Sequence, residues 1–224
     1  MKPRIKLAET SLESGNILAL YEQDGAYSIN YRGQELMHSK ASASEVLLGQ
    51  LGAAGLPAAE PSRTLVGGLG LGFTLRALLE AAPSESQIEV WELAPEVIEW
   101  NRQHLKSLNG RCLDDPRVRV ETGDVAPVIR KAAPATYDCI LLDVDNGPAP
   151  MVASGNASLY SPSGLRQLKA SLKPNGQAIF WSAGPDERFA LKLKKAGFVT
   201  QEIPAKVYEG AKRAAYRLYQ ARKA

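Results

Sequence analysis

Apolar runs alternate with amphipathic segments from Thr64 onward. Buried strands are predicted by the runs TLVGGLG, QIEVWEL, RVRVETGD, YDCILLDVD and QAIFWSA, and helices by FTLRALLEAA, APEVIEWNRQHL, VAPVIRKA, SPSGLRQLKASLKPNG and PDERFALKLKKAGF. Two more strands follow, VTQEIPAKVY and AAYRLYQARK. Strands that alternate with helices form parallel βαβ units. The pattern therefore predicts an α/β fold, a doubly wound, Rossmann-like, mostly parallel seven-stranded sheet with a C-terminal antiparallel hairpin at one edge.

The first sixty residues have a different pattern. Short β-rich runs are broken by Asp24-Gly25 and Arg32-Gly33, and an Asp-Gly pair between alternating segments is a strong hairpin signal. The segment ASASEVLLGQLGAAGL predicts a helix with Ser42 or Ser44 as its N-cap, and PAAEPSR predicts a short linker. We therefore expect a β-hairpin extension and a helix in residues 1–60, followed by a Rossmann-like domain in residues 61–224.

Composition and charge exclude several classes of protein. The net charge of +3 in 224 residues comes from basic residues that are spread along the chain, which argues against nucleic acid as a partner. The two cysteines have no disulfide or metal-ligand spacing, and neither of the two histidines has a cysteine or another histidine nearby, so no metal is expected. No segment has the roughly 18 apolar residues of a membrane span, and the N-terminus lacks an apolar signal core. We expect a cytoplasmic protein that does not bind membranes.

Candidate binding residues follow the first two predicted strands. Ligands of doubly wound sheets bind outside the carboxyl ends of the strands. Gly68, Gly70 and Gly72 follow the first strand, where glycine lets the backbone approach a ligand closely. Glu92 ends the second strand, about twenty residues after the glycines, where an acid can accept both hydroxyls of a ribose. These residues predict a nucleoside site and leave NAD and S-adenosylmethionine equally open.

Acidic residues also follow the third and fourth predicted strands. Asp124 and the adjoining Val125 stand where a carboxylate can accept a hydrogen bond from an adenine amino group, and Asp124 is equally suited to be a helix N-cap. Asp143 and Asp145 end the fourth strand and are expected to point into the cleft, although Asp143 could instead bind loop amides. Four successive strand ends thus carry a glycine turn, an acid, an aspartate and an acid pair. This combination is more specific evidence for a ligand site than any one of its members.

These segments together resemble a family, the spermidine synthase-like branch of the class I S-adenosylmethionine-dependent transferases. GGLGLGFTLR is similar to its glycine motif, VWELAPEVIEWNRQHL to its ribose-binding segment, DPRVRVETGDVAPVI to its adenine-side segment and YDCILLDVDNGP to its catalytic strand and loop. The resemblance covers about residues 64–222 and implies that Gly68, Gly70 and Gly72 cradle the amino-acid part of the cofactor. It further implies that Glu92 holds the ribose, that Asp124 holds the adenine, and that Asp143 orients or deprotonates an attacking group. A homodimer also fits the resemblance.

Departures from the family pattern bear on the reaction. In aminopropyltransferases an aspartate of the glycine motif holds the amine of decarboxylated S-adenosylmethionine, and Leu71 stands at the corresponding place. Where the family has a glutamine and a Tyr-His pair for the polyamine, this chain has Leu36, Met37 and SASE. We therefore expect a polyamine site to be largely absent. The expected function is methyl transfer from S-adenosylmethionine to a small-molecule amine or hydroxyl, with Asp143 and Asp145 as catalytic residues.

Three alternatives stay open at this point. A spermidine synthase-type aminopropyltransferase would use decarboxylated S-adenosylmethionine, a Rossmann oxidoreductase would use NAD, and a non-catalytic relative would only bind an adenosyl compound. The NAD alternative explains Glu92 and the glycines but not Asp124 or the C-terminal hairpin.

Overall fold

A computed structural model describes residues 2–12, 15–58, 60–144 and 158–224. The strands are β1 (Ile5–Ser11), β2 (Ile17–Gln23), β3 (Ala26–Tyr31), β4 (Gln34–His38), β5 (Arg63–Gly67), β6 (Gln87–Glu92), β7 (Val118–Thr122), β8 (Tyr137–Leu142), β9 (Leu172–Ser182), β10 (Val199–Lys206) and β11 (Ala214–Arg222). The helices are α1 (Ala43–Ala54), α2 (Phe73–Ala81), α3 (Pro95–Gln103), α4 (Lys106–Asn109), α5 (Val125–Lys131), α6 (Pro162–Ser171) and α7 (Glu187–Lys195).

The main sheet has seven strands in the order β10-β11-β9-β8-β5-β6-β7. Neighbouring strands from β9 to β7 are parallel, and β11 pairs antiparallel with both β9 and β10. The predicted α/β fold, with its C-terminal antiparallel hairpin at one edge, is therefore confirmed. The chain order reverses at β5, which lies between β6 and β8, and ligands of such sheets bind beside this reversal.

Two layers of helices cover the main sheet. One face packs on α5, α6 and α7 through side chains such as Ile129, Leu165 and Phe189. The other face packs on α1, α2 and α3 through side chains such as Leu48, Leu78 and Ile98. Strands buried on both faces read as continuous apolar runs, which is why the sequence marks them clearly.

Strands β1 to β4 form a separate antiparallel sheet, in which they lie in the order of the chain. The turn between β2 and β3 has φ of 52° at Asp24 and 76° at Gly25, the two positive values that tight hairpin turns require. This sheet packs through Ile29 and its neighbours on Leu71 and Trp100, and so it covers the carboxyl end of β5. The hairpin prediction is confirmed, whereas the domain division at residue 60 stays a prediction.

The boundary between α6 and β9 differs from the sequence prediction. We expected the helix to continue to Pro174-Asn175-Gly176, but it ends at Ser171 and β9 begins at Leu172. Lys173 precedes Pro174, and a residue in that place disfavours helical backbone. Leu172 is fully buried and pairs with Tyr137 in the sheet. The Pro-Asn-Gly segment is the irregularity between this pair and the next one, Cys139 with Gln177.

No helix in the described part of the chain has the length and apolar character needed to cross a membrane.

Candidate functional site

A cavity of about 450 Å³ lies at the carboxyl ends of β5, β6, β7 and β8. Its floor is formed by the residues that follow these strands, and its other walls come from the N-terminal sheet, α1, β9 and β11. The predicted site residues that line it are Gly68, Gly70, Glu92, Asp124, Val125 and Asp143. A cavity of this size suits a small organic ligand. Asp145, the second predicted catalytic residue, lies outside the described residues.

The turn between β5 and α2 brings bare backbone to the cavity. Gly68 has φ of 88°, and a Cβ there would overlap the carbonyl oxygen of Asp143. Gly70 has φ of 50°, and a Cβ there would lie 2.7 Å from the sulfur of Met37. Both positions therefore favour glycine for conformation, and Gly68 also requires it for space because the atoms it would meet are backbone.

Gly72 and Leu71 do not line the cavity. Gly72 is the N-cap of α2, and a Cβ there would lie 2.9 Å from the side chains of Asn101 and Asn109. Leu71 is 2% exposed and packs beneath the N-terminal sheet with Phe73. The Leu71 side chain therefore does not reach the cavity, which is lined instead by the backbone of Gly70. The correspondence of Leu71 to the family's turn aspartate stays a prediction.

Glu92 lies at the end of β6 and binds the glycine turn. Its Oε2 accepts hydrogen bonds from the amides of Leu69 at 2.9 Å and Gly70 at 3.4 Å, and its Oε1 accepts one from the amide of Ala94 at 3.0 Å. Burial raises the pKa of the Glu92 carboxyl, and these amides oppose the shift. The carboxylate is therefore held rigidly at the cavity floor.

Asp124 caps a helix and lines the cavity. Its Oδ1 accepts a hydrogen bond from the amide of Ala126 at 2.8 Å, so it is the N-cap of α5, and the residue also lines the cavity. Beside it, a Cβ at Gly123 would lie 3.1 Å from the ring of Trp91. The Trp91 indole is fixed by a 2.7 Å hydrogen bond to Glu89 and forms the wall next to Asp124.

Asp143 faces a second carboxylate that the sequence analysis did not select. Asp143 Oδ2 accepts a hydrogen bond from the Thr74 hydroxyl at 3.1 Å, and Glu45 reaches the same cavity from the first turn of α1. Burial, together with the charge of Glu92, raises the pKa of Asp143 to about 6. Burial, together with the charge of Asp143, raises the pKa of Glu45 to about 8. Two partly desolvated carboxylates that repel each other are a favourable place for a cation.

The wall around Glu45 is aromatic and acidic. Trp181 at the end of β9 packs on Tyr216 of β11, with ring centres 4.9 Å apart, and both line the cavity with Glu35 and His38. The Trp181 indole nitrogen is buried and makes no hydrogen bond within the described residues. Acids and aromatic rings thus do line the cavity, whereas the sequence predicts that a polyamine site built from such groups is largely absent.

The charges of the cavity all have one sign. Five acidic residues line it, and among the described lining residues there is neither lysine nor arginine. The acids are Glu35, Glu45, Glu92, Asp124 and Asp143. A low-dielectric cavity with this lining favours cationic ligands and disfavours carboxylates and phosphates.

Glu45 was missed because it lies about a hundred residues from Asp143 in sequence. An acid in the first turn of a helix usually complements the helix dipole, so nothing local marks it as a ligand. The small residues of α1 are the available signal. A Cβ at Gly49 would lie 2.8 Å from the backbone nitrogen of Leu78, so α1 packs directly on α2 and carries Glu45 into the cavity.

Relatives with curated functions match about half of the chain. No protein-family model matches the chain. A polyamine aminopropyltransferase of Mycobacterium tuberculosis is 33% identical over 123 residues, which are 54% of this chain and 23% of that protein. Putrescine N-methyltransferase 1 of Nicotiana tabacum is 34% identical over 118 residues, 52% of this chain and 29% of that protein. The chain thus spans a quarter to a third of the length of these relatives.

Solved structures of similar fold are spermidine synthases. The enzyme of Thermotoga maritima has a TM-score of 0.77 and 20% identity, over 98% of this chain and 73% of that one. A spermidine synthase in complex with the transition-state analogue AdoDATO has a TM-score of 0.75 and 19% identity, over 98% of this chain and 72% of that one. The resemblance predicted from the sequence is confirmed, and the fold is that of these spermidine synthases.

Proposed function

We propose that the chain is a transferase that moves an aminopropyl group from decarboxylated S-adenosylmethionine to a small amine. The observation that carries this proposal is the pairing of Glu45 with Asp143 in a cavity lined by five acids and, among the described residues, by no lysine or arginine. Both reactants of such a transfer are cations, and a free carboxylate on either would be repelled. The similarity to polyamine aminopropyltransferases and spermidine synthases supports the same reaction.

The floor of the cavity fits an adenosyl sulfonium. Gly68 and Gly70 let the backbone approach the ligand without side chains. Glu92 would accept a hydrogen bond from the ribose, and Asp124 would accept one from the adenine amino group with the oxygen that does not cap α5. When bound, the donor supplies an electrophilic carbon next to a positively charged sulfur.

Asp143 and Glu45 would act on the acceptor amine. An alkyl amine is protonated near neutral pH, and an ion pair with ionised Asp143 would bring it into the cavity. Glu45, whose pKa is about 8, holds its proton at neutral pH until the ammonium group is bound. Asp143, with a pKa near 6, is ionised at neutral pH and would take the proton that the nitrogen must lose to attack. The new C–N bond then forms as the C–S bond breaks and its electron pair stays on sulfur. In-line attack of this kind gains mainly from proximity and orientation.

Trp181 and Tyr216 would form the far wall of the acceptor site. Aromatic faces attract ammonium groups and pack well on methylene chains. The acceptor class that fits is therefore a short alkyl diamine, with one ammonium at Glu45 and Asp143 and its methylene chain against the rings.

Methyl transfer from S-adenosylmethionine is the second candidate. It is favoured by the bare backbone at Gly70, where no carboxylate holds the amine of a decarboxylated donor, and by the similarity to a putrescine N-methyltransferase. The cavity's lack of a described cation for the donor's carboxylate argues against it.

The two candidates are separated by the mass of the product. Purified protein is given putrescine with either S-adenosylmethionine or its decarboxylated form, and the amine products are analysed by mass spectrometry. We expect an aminopropyl adduct with the decarboxylated donor. A methyl adduct with the other donor would replace this proposal by the second candidate, and no adduct with either would support a non-catalytic binding protein. Homodimer formation and a cytoplasmic location stay predictions, the former tested by light scattering on the purified protein.

A further inference from the structure

Two buried asparagines lie beneath the glycine turn. Asn101, on α3, is 1% exposed, and Asn109, at the end of α4, is 3% exposed. The Asn109 amide donates to Oδ1 of Asn101 at 2.5 Å, and the Asn101 amide donates to the carbonyls of Gly70 and Val97, both at 2.8 Å. Buried amides are costly unless they are paired, and Asn101 has its donor and its acceptor both engaged.

Asn101 and Glu92 bind the two polar backbone groups of Gly70. The carbonyl of Gly70 is bound by Asn101, and its amide points to Glu92 Oε2 together with the amide of Leu69. The contacts thus run without a break from Asn109 through Asn101 and Gly70 to the carboxylate of Glu92. Gly72 also contacts this network, because a Cβ there would lie 2.9 Å from Asn101 Oδ1.

Backbone amides hold both oxygens of the Glu92 carboxylate. Oε2 accepts from Leu69 and Gly70, and Oε1 accepts from Ala94. The amide of Leu93 is a further hydrogen-bond partner of this carboxyl. The direction in which the carboxylate faces the cavity therefore depends on the turn that binds Oε2.

We propose that Asn101, oriented by Asn109, is a positioning residue for the donor nucleoside: it fixes Gly70, and through Gly70 it orients the Glu92 carboxylate towards a ribose hydroxyl. This inference rests on the proposed function, since it takes an adenosyl compound as the ligand. Asn101 itself does not line the cavity, so it acts on the ligand only through the turn and Glu92.

The test compares adenosine with 2′-deoxyadenosine by calorimetry. Wild type is expected to bind adenosine roughly tenfold or more tightly, the value of one hydrogen bond to a charged acceptor. Asn101→Leu should bring the ratio of the two dissociation constants close to one, as Glu92→Gln should. Ile98→Ala removes a buried side chain of the same helix that packs in the core with Leu78 and Val90, and it should lower stability while leaving the ratio unchanged.

Amide hydrogen exchange in the ligand-free protein provides a readout that does not depend on the function. Asn101→Leu should speed exchange at Leu69 and Gly70 by about tenfold relative to Ile98→Ala. Asn109→Ala, which removes only the outer amide, serves as the milder variant should Asn101→Leu not fold, and it should shift both readouts in the same direction. Unchanged protection at Leu69 and Gly70, or an unchanged binding ratio, would overturn the positioning role. A wild type that binds neither nucleoside would overturn the proposed function, and the exchange rates would then decide whether Asn101 holds the turn.

Discussion

Glu45 and Asp143 come from elements that are distant in the chain, and the negative charge of Asp143 raises the pKa of Glu45. Glu45 is placed by the close packing of α1 on α2, and Asp143 by the parallel pairing of β8 with β5. Both groups are partly removed from water, and neither has a cationic partner among the described residues that line the cavity. The pair raises the free energy of the empty site and lowers that of a complex with an amine.

The free energy of unfolding should depend on pH because Glu45 is buried without a cationic partner among the described residues that line the cavity. Its pKa is about 8 in the folded protein and near 4.5 when unfolded, so the folded state binds more protons between these values. The free energy of unfolding of wild type should therefore fall as pH rises from 4.5 to 8. Glu45→Gln should remove this slope between pH 6 and 8, keep the part below pH 6 that comes from the raised pKa of Asp143, and be more stable than wild type above pH 8, by on the order of 1–3 kcal/mol. Urea unfolding across this range measures it, with exposed Glu85→Gln as the control. A wild type whose stability is flat over the window contradicts the buried pair.

The hydroxyl of Thr74 should set the pH at which the enzyme becomes active. Its hydrogen bond lowers the pKa of Asp143, so Thr74→Val should raise that pKa above its present value near 6. Because ionised Asp143 is the proposed base, the acid limb of kcat/KM should move to higher pH, by roughly half a unit to one unit. Thr64→Val is a matched control, since Thr64 is buried on β5 and its hydroxyl has no hydrogen-bond partner within the described residues. An acid limb that does not move with Thr74→Val argues against Asp143 as the base.

Gly70 and Met37 should be energetically coupled. Gly70→Ala costs about 1 kcal/mol for the positive φ alone, and the added Cβ also overlaps the thioether of Met37. Met37→Ala removes the overlap but not the backbone strain. The cost of Gly70→Ala should therefore be smaller in the Met37→Ala background, with a coupling energy of about 1 kcal/mol from a double-mutant cycle by chemical unfolding. Additive costs would mean that Met37 moves aside freely.

Substitutions at Asp124 should distinguish its role as the N-cap of α5 from its proposed contact with adenine. Asp124→Ala loses the bond to the Ala126 amide and should cost about 1 kcal/mol, whereas Asp124→Ser keeps a cap and should cost less. Both variants should lose the preference for adenosine over inosine, because neither carries a carboxylate that reaches the adenine amino group. Calorimetry with the two nucleosides measures that preference. A full preference in Asp124→Ser would restrict Asp124 to capping.

Sequence periodicity predicts most of this fold because the strands are apolar and their ends carry glycine or acid. The turn from β5 to α2, the acid at Glu92 and the Asp124 cap all depend on residues adjacent in the chain. The end of α6 was placed too late, because Leu172 leaves the helix in order to pair with Tyr137. Helix propensity depends on neighbouring residues only, so it does not predict that contact.

The acceptor side was not predictable in the same way. Glu45, Tyr216 and His38 come from the N-terminal helix, the C-terminal hairpin and the N-terminal sheet, and only tertiary packing brings them to one cavity. Asn101 resembles an ordinary helix residue, and its role depends on the carbonyl of Gly70. Leu71 shows the same limit, because its place in the glycine motif does not tell which side of the turn its side chain takes, and it packs beneath the N-terminal sheet.

The binding of a diamine to the acid pair tests the central claim most directly. Putrescine is titrated calorimetrically at pH 8 into wild type, Glu45→Gln, Asp143→Asn and the exposed control Glu85→Gln. The account predicts saturable binding to wild type and to the control, and affinity lower by roughly tenfold or more in the other two variants, the cost of losing a buried charge-assisted hydrogen bond. Equal affinity in all four proteins, or no binding to wild type, would contradict it.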